Sequence, residues 1–432
     1  IGVVMKAAAV VADEFPAPER NRRFFDATWA LLTACAVVVT LTTAKLTGRR
    51  RVWDTAMFAA APALVLHHST NWDLVAMAFA GLALVAWSRK QPVVAGVLLG
   101  AATATKLYPV LFLVPMLALC WRTRQLAPWV RTAAATVLTG LLLVLPVYLV
   151  APSFADVGGT QTRVADSPLH RFDTDGLRAL LPHGEFPNPT SPGADVRGTN
   201  AVYRFVELNQ TRGADWDSLY FAAGKLRTPD DSLRNSVLSL VLDTQQAPGA
   251  PPSVLNRAVA VTFALALLGV VVLALRARRR PRLPQLLFLT LVAFLLTNKV
   301  FSPQYTLWLL PLALLARPRW RPFLAWQATE VFLLFTRFYF FIGNDKAGQG
   351  IGYSWFCFAV LLRDLALLVF SAYVVRDVLR PEHDVVRTDL VTGLPSGDDD
   401  PAGGVLDGAP DRHSRGDDDT LEPGPVREPV GV

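Results

Sequence analysis

The chain has 432 residues, 52% of them hydrophobic and 18% charged, with a formal net charge of +7. Composition alone admits a large soluble α/β protein, but the distribution does not. Apolar runs close to twenty residues long recur along the chain, as at 27–46, 129–150, 254–275 and 323–342, and a helix of that length matches the thickness of a hydrocarbon core. A soluble fold needs few helices that are apolar all round, whereas in lipid a helix satisfies every backbone amide internally. The Lys and Arg residues fall in short breaks between apolar runs and not on one polar face, so the expected surroundings are a lipid bilayer and no nucleic acid.

Residues 1–26 open with IGVVMKAAAVVA, which is too short to span. They are read as an outer juxtamembrane segment of a chain whose start and first helix lie upstream, with no cleavable signal peptide in view. Crossings are then predicted near 27–46, 53–67, 73–88, 92–105, 107–121, 129–151, 254–276, 284–298, 305–317, 322–342 and 355–376. The expected class is therefore an all-α polytopic membrane protein of about eleven helices, twelve or more in a full-length chain. Membrane helices occupy 27–151 and 254–380, with one large extracytoplasmic loop region at 152–253 between them.

With one crossing per run, the clusters Arg49–Arg51, Arg89 with Lys90, Arg122 with Arg124, Arg276–Arg282, Arg317–Arg321 and Arg376 with Arg380 all fall on one side. That is the pattern expected of a cytoplasmic face. The short runs near 53, 92, 107 and 305 line a cavity more readily than they face lipid. Within the loop region, NAVYRFVELNQTRGADWDSLYFAAGKLRT has a spacing that allows short amphipathic helices. From 381 to 432 the composition turns to Gly, Pro and Asp with two DDD runs, which predicts a disordered cytoplasmic tail. Cys35, Cys120 and Cys357 all sit in or at the ends of apolar runs, so no structural disulfide is expected.

Polar groups collect in the outer turns. The turn HHSTNWD places His67, His68, Asn71 and Asp73 between two spans. Capping and interfacial anchoring would account for them, as would an outward cavity in which Asp73 or a histidine orients a sugar or hydroxyl. Lys106 in TKLYP and Lys299 in NKVFSPQY lie at outer helix ends against the usual bias. They either snorkel to headgroups or converge on a phosphate, and Pro109 and Pro303 interrupt the helices behind them. Glu330 and Arg337 share a helix face opposite Arg363 and Asp364, at depths within about 6 Å, which allows the interhelical pairs Arg363–Glu330 and Asp364–Arg337 or a phosphate contact by Arg337. No P-loop, dinucleotide fingerprint, nucleophile elbow or metal-ligand spacing occurs, so neither a metal nor a cofactor is expected.

The stretches NWDLVAMAFAGLALVAWSRKQPVVAGVLLGAATATKLYPVLFLVPML, RGADWDSL and NKVFSPQYTLWLLPLALL resemble glycosyltransferase family 87, from about Phe24 to Arg380. That resemblance implies a polyprenol-phosphate-mannose-dependent mannosyltransferase of the GT-C fold, active in envelope assembly on the outer face of the cell membrane. It implies inverting transfer from a polyprenyl-phosphate-linked sugar to a glycolipid or polysaccharide acceptor. The base of GT-C enzymes follows the first transmembrane helix, which places it upstream of Ile1 unless Asp13 or Glu14 substitutes; Asp73 is the best remaining catalytic carboxylate. On the same resemblance Lys106, Lys299 and Arg337 hold the carrier phosphate beside Tyr108, Gln304 and Tyr305, and Arg212, Asp215 and Trp216 lie near the acceptor. The other class open to such a chain is a multi-pass transporter or lipid flippase, which the absence of an internal duplication disfavours.

Overall fold

A computed structural model of the chain describes residues 2–12, 15–16, 19–150, 153–157, 160–165, 199–200, 205–206, 209–227, 252–345, 349–388, 399–407 and 409. Its body is a helical bundle. The first half contains α1 (Gly2–Ala12), α2 (Glu19–Leu46), α3 (Ala56–Ala59), α4 (Pro62–His67), α5 (Asp73–Ser88), α6 (Pro92–Thr105), α7 (Leu113–Arg122) and α8 (Leu126–Val150). The second half contains α9 (Leu219–Arg227), α10 (Ser253–Arg276), α11 (Leu283–Thr297), α12 (Thr306–Ala316), α13 (Trp320–Asp345) and α14 (Tyr353–Leu379). Between the halves, Ser153–Val157 pairs antiparallel with Thr160–Ala165 and with Thr199–Asn200, in a small sheet that the apolar periodicity did not announce.

Among the described residues four helices, α2, α8, α10 and α14, are long and apolar enough to cross a membrane; α5, α6, α11 and the 108–122 segment are shorter apolar helices. The outward faces of α8 and α10 carry exposed Leu138, Leu141, Leu142, Val261, Leu265 and Leu268. Such a surface is stable against lipid and not against water. Prolines set several boundaries: α4, α6 and α11 each carry one at their first turn, where the missing N–H is an orphan in any case. The predicted 53–67 crossing is instead broken, with a 3₁₀ turn over Arg49–Thr55 leading into the short α3 and α4.

The α6–α8 contact is close because of glycine. A Cβ added at Gly96 would stand 2.3 Å from the Thr132 carbonyl oxygen, and one at Gly100 would stand 2.7 Å from that of Thr136. Small residues one turn apart let two backbones approach, and hydroxyls then bind across the seam. Thr132 donates to the Pro92 carbonyl at 2.9 Å and Thr136 to that of Gly96 at 3.2 Å.

One end of the bundle is basic, and the tail binds it. The expected disorder does not hold for 381–388 and 399–407; 389–398 and 410–432 lie outside the described residues. Asp384 accepts from Arg282 Nε at 2.7 Å and Nη2 at 3.0 Å, and both partners are buried. Asp399 pairs with Arg279 at 2.9 Å, Arg280 at 3.1 Å and Arg387 at 2.9 Å. The Asp400 carboxylate accepts the Leu283 N–H at 2.8 Å, capping the start of α11. The Trp87 indole donates to the Gly403 carbonyl at 3.0 Å, and Ala402 and Leu406 are buried beside it. The acidic composition that reads as solvated in isolation is here the complement of the arginine-rich turns. All three cysteines are free thiols.

A polar site at the other end of the bundle

Asp73 is the first residue of α5 and is fully buried. A carboxylate in the first turn suits the helix dipole, but burial requires a partner, and Lys106 supplies it: the ammonium donates to Asp73 Oδ1. Lys106 ends α6 in extended backbone, so its side chain leaves the helix and reaches α5. The pair rests on a stack of rings. Tyr108 lies parallel to Trp308 with centroids 4.2 Å apart, Tyr305 lies on Trp308 at 4.3 Å, and Lys106 Nζ is 4.9 Å from the Tyr305 centroid and 5.3 Å from that of Trp308. A cation over two ring faces is stabilised while keeping N–H groups for another acceptor. The Trp308 indole lies beside the carboxylate, and its N–H and Asp73 Oδ2 are both left without a hydrogen bond.

A second polar cluster adjoins the first through the 298–305 turn. Lys299 Nζ donates to the Arg212 carbonyl at 2.6 Å and to Asn256 Oδ1 at 2.5 Å, while its own carbonyl accepts from Asp215 N–H at 2.8 Å. Burial, with Arg212 nearby, lowers the Lys299 pKa to about 8. Asp215 binds Arg212 at 3.2 Å and accepts from the Ser302 hydroxyl at 3.2 Å. Tyr305 lies within the field of Asp73 and of Arg212 and Asp215, so this one ring stands between the two clusters. Gln304 is half-buried in the same turn.

Asp217 forms the third element. It is fully buried; Arg337 Nε donates to its Oδ2 at 3.0 Å, Arg363 Nη2 donates to its carbonyl at 2.7 Å, and Oδ1 takes no hydrogen bond. Burial raises the Asp217 pKa to about 6 against the opposing pull of both guanidiniums. Arg363 also lies over the Phe301 ring at 3.7 Å and binds Asp364, its neighbour, at 2.6 Å. The interhelical pairs expected from depth are therefore not the ones formed: Arg337 takes Asp217 from the outer segment, and Glu330 accepts from Thr306 at 2.5 Å and Trp326 at 2.9 Å.

The remaining candidates serve local structure. His68 shares a 3.3 Å contact with the Thr33 hydroxyl and meets Trp29 edge-on, turned toward α2. Asn71 Oδ1 accepts the Trp72 N–H at 2.7 Å, and Trp72 packs against Phe24. His67 is buried at the end of α4 with Nε2 unpartnered. Trp216 packs among Phe221, Phe340 and Phe341 at 4.8–5.6 Å. Trp308 and Asp217 carry little signal in the sequence: Trp308 is one more apolar residue of TLWLL, and Asp217 follows Asp215 and Trp216 in RGADWDSL. Among the described residues no group of three or more His, Cys, Asp or Glu is placed to hold a metal.

The apolar helices and their exposed faces define a polytopic membrane protein with buried, charged groups at both ends of its bundle. Residues 21–180, little more than a third of the chain, match the model of glycosyltransferase family 87. The matched stretch includes Asp73, Lys106 and Tyr108 and ends before Arg212 and Lys299. No curated protein and no solved structure matches the chain.

Proposed function

We propose that the chain transfers a sugar, mannose, from a polyprenyl-phosphate carrier to an envelope glycolipid or polysaccharide, with inversion, on the extracytoplasmic side of the cell membrane. The observation that carries this reading is the pairing of buried Asp73 with Lys106 over a ring stack, both residues inside the family-matched stretch. An ammonium with one N–H committed to Asp73 has two left for a carrier phosphate, where a compact cation stabilises charge on the departing oxygen. Asp73 orients that ammonium and leaves Oδ2 for a sugar hydroxyl. Trp308, Tyr305 and Tyr108 offer the apolar surface beside it, and Arg212 and Asp215 of the outer segment, Lys299 of the 298–305 turn and Arg337 of α13 border the same end. In this reading the basic end is cytoplasmic, as its arginines require. The transporter alternative is not favoured by the family match.

Membranes expressing the chain and supplied with polyprenyl-phosphate-[¹⁴C]mannose should transfer label to endogenous lipid or polysaccharide, and Asp73→Asn should reduce transfer by about 100-fold, the usual worth of a positioned charge-stabilising donor, here the ammonium that Asp73 orients. Label transfer that is equal in Asp73→Asn and wild type would remove the site from the reaction. Lys299→Ala should weaken donor use in the same assay.

A further inference from the structure

The basic end of the bundle holds more guanidinium than its carboxylates answer. The connection RPRWRP joins α12 to α13, and Arg317, which precedes Pro318, leaves the helix in extended backbone. The Arg319 N–H donates to the Arg317 carbonyl at 2.8 Å, which curls the connection tightly. Arg376 reaches the same place from the last turn of α14. The guanidiniums of Arg317 and Arg376 both lie over the Tyr373 ring, with Cζ 5.0 and 5.2 Å from its centroid, and Arg319 lies within the field of Arg317, Arg376 and Arg51.

Asp377 takes Arg317 and, at 3.3 Å, Arg376, while Asp54 takes Arg51 at 2.7 Å. Four arginines thus share two carboxylates. Among the described residues the Arg319 guanidinium has no acceptor, and the Nε–H groups of Arg317, Arg319 and Arg376 are all shielded from water without a hydrogen bond. Arg317 is 4% exposed. Buried donors without partners are few in folded chains, and three of them on neighbouring arginines suit an anion with several oxygens. Burial and the Arg317 charge lower the Arg319 pKa, an effect that a bound anion would reverse.

The site is open to such an anion. The Arg376 side chain is 40% exposed, Arg319 is half-buried, and a cavity lined by Arg51, Asp54 and Pro318 reaches the connection. Its surroundings are those of a bilayer interface. Val369, Tyr373 and Arg376 follow the i, i+4, i+7 spacing of one face of α14, and Val369 and Tyr373 are exposed. That face runs from an apolar side chain past an amphipathic ring to a cation, in the order of lipid chain, interface and headgroup. Trp53 and Trp320 are also exposed at this end, as rings at headgroup level are.

We propose that Arg317, Arg319 and Arg376 form a binding site for the phosphate of an anionic membrane lipid, at the end of the bundle opposite the Asp73–Lys106 pair. The planar guanidiniums of Arg319 and Arg376 take the phosphate oxygens, and buried Arg317 adds its charge from behind. The inference is independent of the transferase reading.

The test measures binding of phosphatidylglycerol, phosphatidylcholine and inorganic phosphate to the purified, delipidated chain in detergent, with thermal stability alongside. Wild type should bind phosphatidylglycerol about tenfold tighter than phosphatidylcholine. Arg319→Gln and Arg376→Gln should each lose about fivefold for phosphatidylglycerol alone, the usual worth of one basic group at an anionic surface. Arg319→Gln should keep its lipid-free stability, because it removes no hydrogen bond or ion pair. The exposed Arg89→Gln, at the same end, should bind as wild type does. Equal affinity of wild type for the two lipids, unchanged phosphatidylglycerol binding in Arg319→Gln, or an equal loss in Arg89→Gln would overturn the proposal. Inorganic phosphate that binds as tightly as phosphatidylglycerol, with the same loss in Arg319→Gln, would assign the site to a soluble anion and overturn the lipid.

Discussion

The tail clasp makes a quantitative prediction. Arg282 is 1% exposed and donates four hydrogen bonds, two to Asp384 and one each to the carbonyls of Leu315 and Ala316 at 2.7 and 2.6 Å. Substituting Asp384→Ala leaves a buried guanidinium with two neutral acceptors and no carboxylate bound to it, Asp400 and Asp377 acting only through their field. Breaking one side of such a pair costs about 3–5 kcal/mol. Since about 1.4 kcal/mol is a factor of ten, the docked tail becomes roughly a hundred to several thousand times less favoured relative to the free tail. Limited proteolysis of the detergent-solubilised protein should then cut around 399–407 at least a hundred times faster than in wild type. The double variant Asp384→Ala with Arg282→Met should recover most of the protection, because an apolar replacement removes the stranded charge. Equal cleavage of Asp384→Ala and wild type would refute the argument, since it would mean the pair carries no net stability.

Three further outcomes follow from the geometry. Gly96→Leu should lower thermal stability by about 1–3 kcal/mol, the usual cost of overpacking, because the added side chain meets the Thr132 carbonyl; Gly140→Leu, where a Cβ meets nothing within 4 Å, should be near neutral. Asp217 binds a proton more tightly folded, near pH 6, than its ordinary value of 3.8. Its contribution to stability therefore falls as pH rises from about 4 to 6, and Asp217→Asn should flatten the slope of stability against pH in that window. Trp308→Ala should raise the donor KM by about tenfold while Trp216→Ala mainly lowers stability, since only the former stacks beneath Lys106.

Helix positions were legible where local chemistry decides them. Helices α5 and α6 begin and end at the predicted 73–88 and 92–105, because Asp73 and Pro92 are good first-turn residues and polar breaks follow each apolar run. The broken 49–67 stretch was harder, since its residues are apolar enough for a crossing and only tertiary packing splits them. In the site, Asp73, Lys106 and Lys299 stand out as polar groups at helix ends, and the structure brings them to one end of the bundle with Tyr108 and Tyr305, which only the resemblance named. Their partners were not legible. Which carboxylate answers Arg337 depends on where the outer segment docks, and depth along α13 and α14 says nothing of that; Asp217 arrives from 120 residues away in sequence. The tail misled for a related reason. A run of aspartates signals disorder only when no complementary surface is near, and here the arginines of the turns supply one.

The central claim is that Lys106, held by Asp73 over Tyr305 and Trp308, binds an anionic lipid carrier. Binding of a polyprenyl phosphate to the purified chain, compared between wild type and Lys106→Ala in the same detergent, tests it most directly. A loss of affinity of tenfold or more, about 1.4 kcal/mol, with Lys90→Ala at the basic end unaffected, is the expected result. Equal affinity in wild type and Lys106→Ala would contradict it.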